Sequence, residues 1–167
     1  MSPDEIVQHL TDATGAVERS EVAHGEVSVW VAPARWVEVA THLRDCGHCH
    51  FDFCTFLTAV DLEAEGFEVV LHVYSVRRQH HVNVKTVLGR ENPSLPTLSE
   101  VWLGANWCER ETNELFGIDF AGHPNLVKLL LPVEFEGHPL RKDFKLMTRE
   151  AKEWPGEKEP EEVSPSQ

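Results

Sequence analysis

Residues 44 to 54 read RDCGHCHFDFC. Cys46 and Cys49 make a C-x-x-C around Gly47 and His48, Cys54 follows, and His48 and His50 interleave. Such a group could be a redox dithiol or a soft-metal site. A thioredoxin-type dithiol follows a strand and opens a helix, whose N-terminus favours the thiolate. Here a helical stretch from Ala34 to Arg44 precedes Cys46, and an apolar strand-like run follows. Cys46 therefore sits at the negative end of a helix dipole, which disfavours the thiolate. A structural zinc site needs a second ligand pair; among the cysteines only Cys108 remains, far along the chain. The spacing inverts that of plant-type ferredoxins. If the next strand begins at Cys49, then Cys49 and Cys54 point to opposite sheet faces. The expectation is a helix-to-strand turn holding Cys46 and Cys49, with Cys54 packed in the core.

Two Gly-His-Pro units, Gly122-His123-Pro124 and Gly137-His138-Pro139, offer two more histidines. Proline forces each histidine out of helical geometry, so both mark sharp turns. They lack the helical spacing of H-E-x-x-H. No G-x-S-x-G marks a nucleophile, and no glycine loop is suited to cradle phosphate. No catalytic, cofactor-binding or metal-ligating residue is assigned.

Between these features lies a helix pattern. Asn106 can cap a helix running to Phe116, with Gly117 just past its end. Trp107, Cys108 and Leu115 suggest its apolar stripe, and Glu111 falls between them. A buried carboxylate needs a partner. Arg141 or Lys142 is therefore expected to meet Glu109 or Glu111; the alternative pairs them with Glu134 or Glu136.

The elements that must position these residues come before them. Ser2-Pro3-Asp4-Glu5 has a capping-box pattern, opening a helix to about Ala13 with Gly15 as its stop. Residues 16–23 and 26–32 read as strands, with Val27, Val29 and Val31 on one face. Pro33 opens a second helix whose stripe is Trp36, Val39, Ala40 and Leu43. Strands follow at Phe51–Val60, Phe67–Val76 and Val82–Leu88, then a proline-bearing loop from Asn92 to Pro96. The order is helix, two strands, helix, three strands. The fold class is α+β: a mostly antiparallel sheet with helices on one face, plus an extended C-terminal segment. Residues 1–97 form the α+β core. Residues 98–147 hold the signature helix and a partner-binding extension, and 148–167 an acidic, proline-rich tail.

At 167 residues the chain suits one domain. Its net charge of −13 argues against nucleic acid and anionic membrane as direct partners. No apolar run nears the roughly 20 residues of a membrane span. The N-terminus lacks the basic and apolar regions of a signal peptide, so a cytoplasmic protein with reduced cysteines is expected.

The run from residue 106 onward resembles the signature of the complex I 30 kDa subunit family, whose bacterial members are the C subunits of NADH-quinone oxidoreductase. The residues that carry it are Glu109-Arg110-Glu111, Glu114-Leu115-Phe116-Gly117, His123-Pro124, Leu129-Leu130, Pro132 and Gly137-His138-Pro139-Leu140-Arg141-Lys142-Asp143-Phe144. Weaker resemblance extends to Leu57–Asp61 and Gly104–Trp107, and Trp154-Pro155-Gly156 looks like the tail of some bacterial members. The resemblance implies a non-catalytic peripheral-arm subunit of a proton-translocating enzyme. It implies no cofactor in this subunit, with NADH, FMN, iron–sulfur clusters and quinone handled elsewhere in the complex. The implied partners are the quinone-site (49 kDa-type) subunit and iron–sulfur subunits, at the cytoplasmic side of the inner membrane. Arg141 and Lys142 would be charged anchors there, and Trp107, Phe116, Phe135 and Phe144 aromatic ones. A membrane-bound hydrogenase or F420H2 dehydrogenase complex is the neighbouring reading. A stand-alone thiol or metal redox protein using Cys46, Cys49 and Cys54, with His48 and His50, is a reading of another class.

Overall fold

Helix α1, Pro3–Thr14, is set by its first residues. The Ser2 hydroxyl accepts the Glu5 N–H at 3.3 Å, and the Glu5 carboxylate accepts the Ser2 N–H at 2.8 Å. Gly15 ends the helix with φ +59°, a left-handed conformation that costs glycine little. The computed structural model describes residues 2–145, so the 148–167 tail and Trp154-Pro155-Gly156 lie outside the described residues.

Strands β1 (Val17–Ala23) and β2 (Glu26–Val31) form a hairpin. A 3-10 turn at Pro33–Arg35 leads into α2, Trp36–Asp45, which buries Trp36, Val39, Ala40 and Leu43 as its stripe predicts. Strands β3 (Phe53–Asp61), β4 (Phe67–Ser75) and β5 (His80–Leu88) follow. The sheet order is β1-β2-β5-β4-β3. All pairs are antiparallel except β2 with β5, which is parallel: α2, β3 and β4 intervene before β5 returns beside β2.

One sheet face is buried. Phe67, Val69, Leu71 and Val73 of β4 lie opposite Leu88, Thr86, Val84 and Val82 of β5, and all eight are buried. The opposite face stays open, with Phe56, Val60 and Val87 exposed. The helices therefore lie on one side, as expected for this α+β class.

Three details differ from what the sequence predicts. Strand β3 begins at Phe53, so Cys49 precedes the strand, and the parity argument separating it from Cys54 does not apply. The Asn92–Pro96 loop contains a short strand β6 (Ser94–Pro96), paired in parallel with β7 (Asp119–Ala121). Helix α3 spans Ala105–Phe116 with Gly104 at its N-cap, so Asn106 lies inside the helix and is not its cap. Leu98, Trp102, Ala105, Phe116, Ile118 and Phe120 join the same core as the sheet.

Candidate partner-binding surface

Helix α3 is amphipathic in an unusual sense. Its buried residues are Ala105, Glu109, Thr112, Glu114 and Phe116, while Trp107 is 63% exposed. Of the expected stripe, Cys108 and Leu115 are partly buried against the core but Trp107 faces out, and Glu111 is exposed rather than buried. The buried carboxylates belong to Glu109 and Glu114. Glu109 is satisfied by one side chain and one amide, and Glu114 by amides.

Glu109 accepts the Thr97 hydroxyl and the Leu98 N–H, both at 2.5 Å. His123 Nε2 stands 3.9 Å away. Burial pushes the Glu109 carboxyl above the usual range, against the pull of Thr97, Leu98 and His123. The expected pairing with Arg141 or Lys142 does not form, because both lie elsewhere. The Glu114 carboxylate accepts three successive N–H groups, from Leu129 at 2.9 Å, Leu130 at 2.8 Å and Leu131 at 3.3 Å. Arg110 donates to the carbonyls of Val127 (2.9 Å) and Lys128 (3.1 Å). Residues 127–131 are thus strapped to α3 from both sides.

The histidines act on the same helix. His123 donates from Nε2 to the Asn106 carbonyl at 3.2 Å and accepts the Asn125 N–H at Nδ1. His138 donates from Nδ1 to the Glu114 carbonyl at 2.9 Å. Arg141 donates to the Phe116 and Gly117 carbonyls and lies over the Phe67 ring, 5.1 Å from its centroid. A guanidinium here satisfies free carbonyls at the C-terminus of α3 and complements its dipole. Neither Glu134 nor Glu136 pairs with Arg141 or Lys142 among the described residues. Gly117 has φ +72°, and a Cβ there would come within 2.5 Å of both His138 Nε2 and Arg141 Nη2. Glycine is required twice over, for the turn and for the clamp.

The strap is also tied to the sheet. Asp61, at the end of β3 and 4% exposed, accepts from Arg90 Nη1 at 2.7 Å, the Glu63 N–H at 2.8 Å and the Lys142 N–H at 2.9 Å. Arg90 also reaches Asp143 at 2.7 Å. Burial pushes the Asp61 carboxyl up, but Arg90 and the Lys142 and Glu63 amides hold it below the usual range. Lys142 Nζ pairs with Glu63 at 3.1 Å on the surface. Pro139 follows His138 in the clamp, Leu140 donates its N–H to the Leu115 carbonyl at 3.1 Å, and Phe144 stacks on Phe135. Pro124 follows the His123 turn and is exposed.

Among the polar signature residues Glu109 and Glu114 are buried, and Arg110, His123, His138 and Arg141 bond to backbone carbonyls, while Glu111, Lys142 and Asp143 are exposed. Exposed on α3, the turn before it and the strap are the large apolar side chains Leu103 (88% exposed), Trp107, Val127, Leu130, Val133 and Leu140, beside the charged Glu111, Lys128, Glu134 and Glu136. Exposed large apolar side chains of this kind are candidates for contact with another protein. No local pattern signals this division, since inward and outward residues alternate through one motif.

The cysteines fall into two groups. Burial, with Cys108 and Glu109 nearby, pushes the Cys54 thiol up to about 12, and Cys54 packs in the core as expected. Burial and neighbouring Cys46 push the Cys49 thiol up to about 12 as well, which leaves it a poor nucleophile. The spacing of the cysteines alone does not show which histidines lie beside them. His9 of α1 and His42 of α2 bring their rings beside Cys46 and Cys49. His48 lies near His9, with ring centroids 5.7 Å apart, while His50 lines a cleft with Cys54.

Comparison with known proteins matches this geometry to a group. Residues 29–150 match the family model described as respiratory-chain NADH dehydrogenase, 30 Kd subunit. The chain is 45% identical over 128 residues to the NADH-quinone oxidoreductase C subunit of Roseiflexus castenholzii, covering 75% of this chain and 74% of that one. It is 41% identical over 144 residues to the corresponding protein of Xanthobacter autotrophicus, covering 84% and 68%. The solved trypsin-resistant fragment of Nqo5 is similar at a TM-score of 0.64 and 29% identity, covering 74% of this chain and 99% of the fragment. A chain of the membrane-bound sulfane sulfur reductase, an archaeal respiratory membrane complex, shares the fold at a TM-score of 0.72 and 24% identity, covering 86% of each.

Proposed function

The chain belongs to the respiratory-chain NADH dehydrogenase 30 Kd subunit family, and from that premise we propose that it is a non-catalytic peripheral-arm subunit of a proton-translocating NADH-quinone oxidoreductase. In this reading it carries no redox centre of its own. NADH, FMN, iron–sulfur clusters and quinone are bound by other subunits. Its partners are the quinone-site (49 kDa-type) subunit and iron–sulfur subunits, on the cytoplasmic side of the membrane. No helix among the described residues is long and apolar enough to cross a membrane, which fits attachment through those partners.

One observation carries the reading: Leu103, Trp107, Val127, Leu130, Val133 and Leu140 are large apolar side chains left exposed on a helix and strap braced by the family's polar residues. Glu114 and Arg110 hold the strap flat on α3, and His138 and Arg141 lock its end. Bracing the surface before binding reduces the ordering cost that association would otherwise carry. Arg141 then acts in assembly by positioning the strap. Lys142 and Glu111, both exposed, are left for rim contacts.

The test is recovery of the complex from membranes through a tag on this chain. Co-purification of NADH-oxidising and quinone-site subunits with the wild-type chain is expected, with loss of both in Trp107→Glu/Leu130→Glu while the isolated variant stays folded. Recovery of the full complex with that variant would remove the assignment of this surface.

A further inference from the structure

The four donors His9 Nε2, His42 Nε2, Cys46 Sγ and Cys49 Sγ all lie within 4.8 Å of one another. They come from three places: α1, the last turn of α2, and the turn between α2 and β3. The two imidazole nitrogens face each other at 3.4 Å, and His9 Nε2 is 3.1 Å from the Cys46 sulfur. We propose that these four side chains form a Cys2His2 site for a structural zinc ion. The proposal does not depend on the assembly role.

The spacing suits that ion. Zinc binds thiolate sulfur at about 2.3 Å and imidazole nitrogen at about 2.0–2.1 Å in a tetrahedron. Such bond lengths place donor atoms roughly 3.3–3.8 Å apart along the edges of the tetrahedron. The His9–His42 separation lies in that range, the His9–Cys46 separation is a few tenths of an ångström short of it, and the remaining pairs stay within 4.8 Å. The donor set is two sulfurs and two imidazoles, which selects zinc among common divalent ions. With both thiols deprotonated and both imidazoles neutral, the loaded site carries no net charge, which suits its half-buried position.

The turn that presents the cysteines is held by bonds independent of any ion. Cys46 donates its N–H to the His42 carbonyl at 2.9 Å, and His50 returns its N–H to the Cys46 carbonyl at 2.7 Å. Phe51 donates to the Leu43 carbonyl at 3.1 Å. From outside the turn, His80 Nε2 reaches the Cys49 carbonyl at 2.8 Å and Arg78 the Gly47 carbonyl at 2.5 Å. Cys46 and His42 lie at the C-terminus of α2, where the dipole disfavours thiolates alone and favours a cation. The context that argues against a redox dithiol thus favours a metal. Zinc here would fasten α1, whose other anchors are Ile6 and Leu10, to the α2–β3 turn.

The experiment uses the full chain, purified under reductant. Metal-free protein is titrated with Zn2+ against a chromophoric chelator, and with Co2+ followed by its visible absorption. One zinc per chain and the intense spectrum of tetrahedral thiolate-bound cobalt are expected. Cys46→Ser/Cys49→Ser should reduce zinc uptake to background, and His9→Asn/His42→Asn should change the cobalt spectrum. Cys108→Ser should keep one equivalent. Wild-type uptake no greater than that of Cys46→Ser/Cys49→Ser would overturn the proposal. So would a cobalt spectrum indifferent to His9→Asn/His42→Asn, which needs no variant to lose its fold.

Discussion

The buried carboxylate of Asp61 accepts the backbone N–H of Lys142 at 2.9 Å, joining positions 81 residues apart in sequence. Arg90 completes the junction, bridging Asp61 and Asp143. Asp61→Ala should therefore destabilise the chain by about 2–3 kcal/mol, since it leaves two amides without their acceptor and removes one of the two carboxylates that Arg90 bridges. Urea unfolding measures this, and limited proteolysis should cut the strap sooner in the variant. Because the folded carboxyl is depressed, its contribution is fully present above about pH 4 and fades as pH falls through the lower folded value. An Asp61→Asn variant should flatten that acid limb.

Glu109 behaves in the opposite sense. Its folded carboxyl is raised by burial, so the native state holds its proton more tightly than the unfolded chain. Its effect is a loss of stability as pH rises from about 4.3 through the raised folded value. Glu109→Gln keeps an acceptor for Thr97 or Leu98 and should abolish that loss. An unchanged pH profile of unfolding would show that the carboxylate is not desolvated.

Gly117→Ala should cost about 2–3 kcal/mol, combining left-handed strain with displacement of His138 and Arg141. Gly15, also left-handed, has nothing within 4 Å of a Cβ position. Gly15→Ala should therefore cost about 1 kcal/mol, from backbone strain alone. Equal midpoints for the two variants in urea would mean that the clamp on α3 yields freely.

Much of the fold follows from local pattern. The α1 cap, the Gly15 stop, the Val27–Val31 alternation and the α2 stripe each depend on residues a few positions apart. The family, too, is recognisable, because its motif is long. The extent of α3 and its Gly117 stop are legible in the same way, but the burial of Glu109 and Glu114 is not, since it depends on partners outside the helix. Nothing near Glu114 in sequence announces that Leu129, Leu130 and Leu131 will bond to it. The same holds for His9 and His42, 33 residues apart, which meet only because α1 and α2 pack together. Spacing within one segment finds the C-x-x-C but not its neighbours.

Glu114→Ala leaves three amides of the strap without their acceptor. A loss of about 2–4 kcal/mol is expected, with faster amide exchange confined to residues 127–131. Uniform exchange across the chain would mean that the strap is not held by this carboxylate.

If the exposed apolar side chains of α3 and its strap meet the rest of the enzyme, their neighbours in the assembled complex can be captured. Site-specific photo-crosslinking does this, with a crosslinking residue at Leu130 and another at Val87 on the open sheet face. Position 130 is expected to crosslink to the quinone-site subunit. Absence of any crosslink from position 130, with efficient capture from position 87, would place the docking face on the open sheet instead.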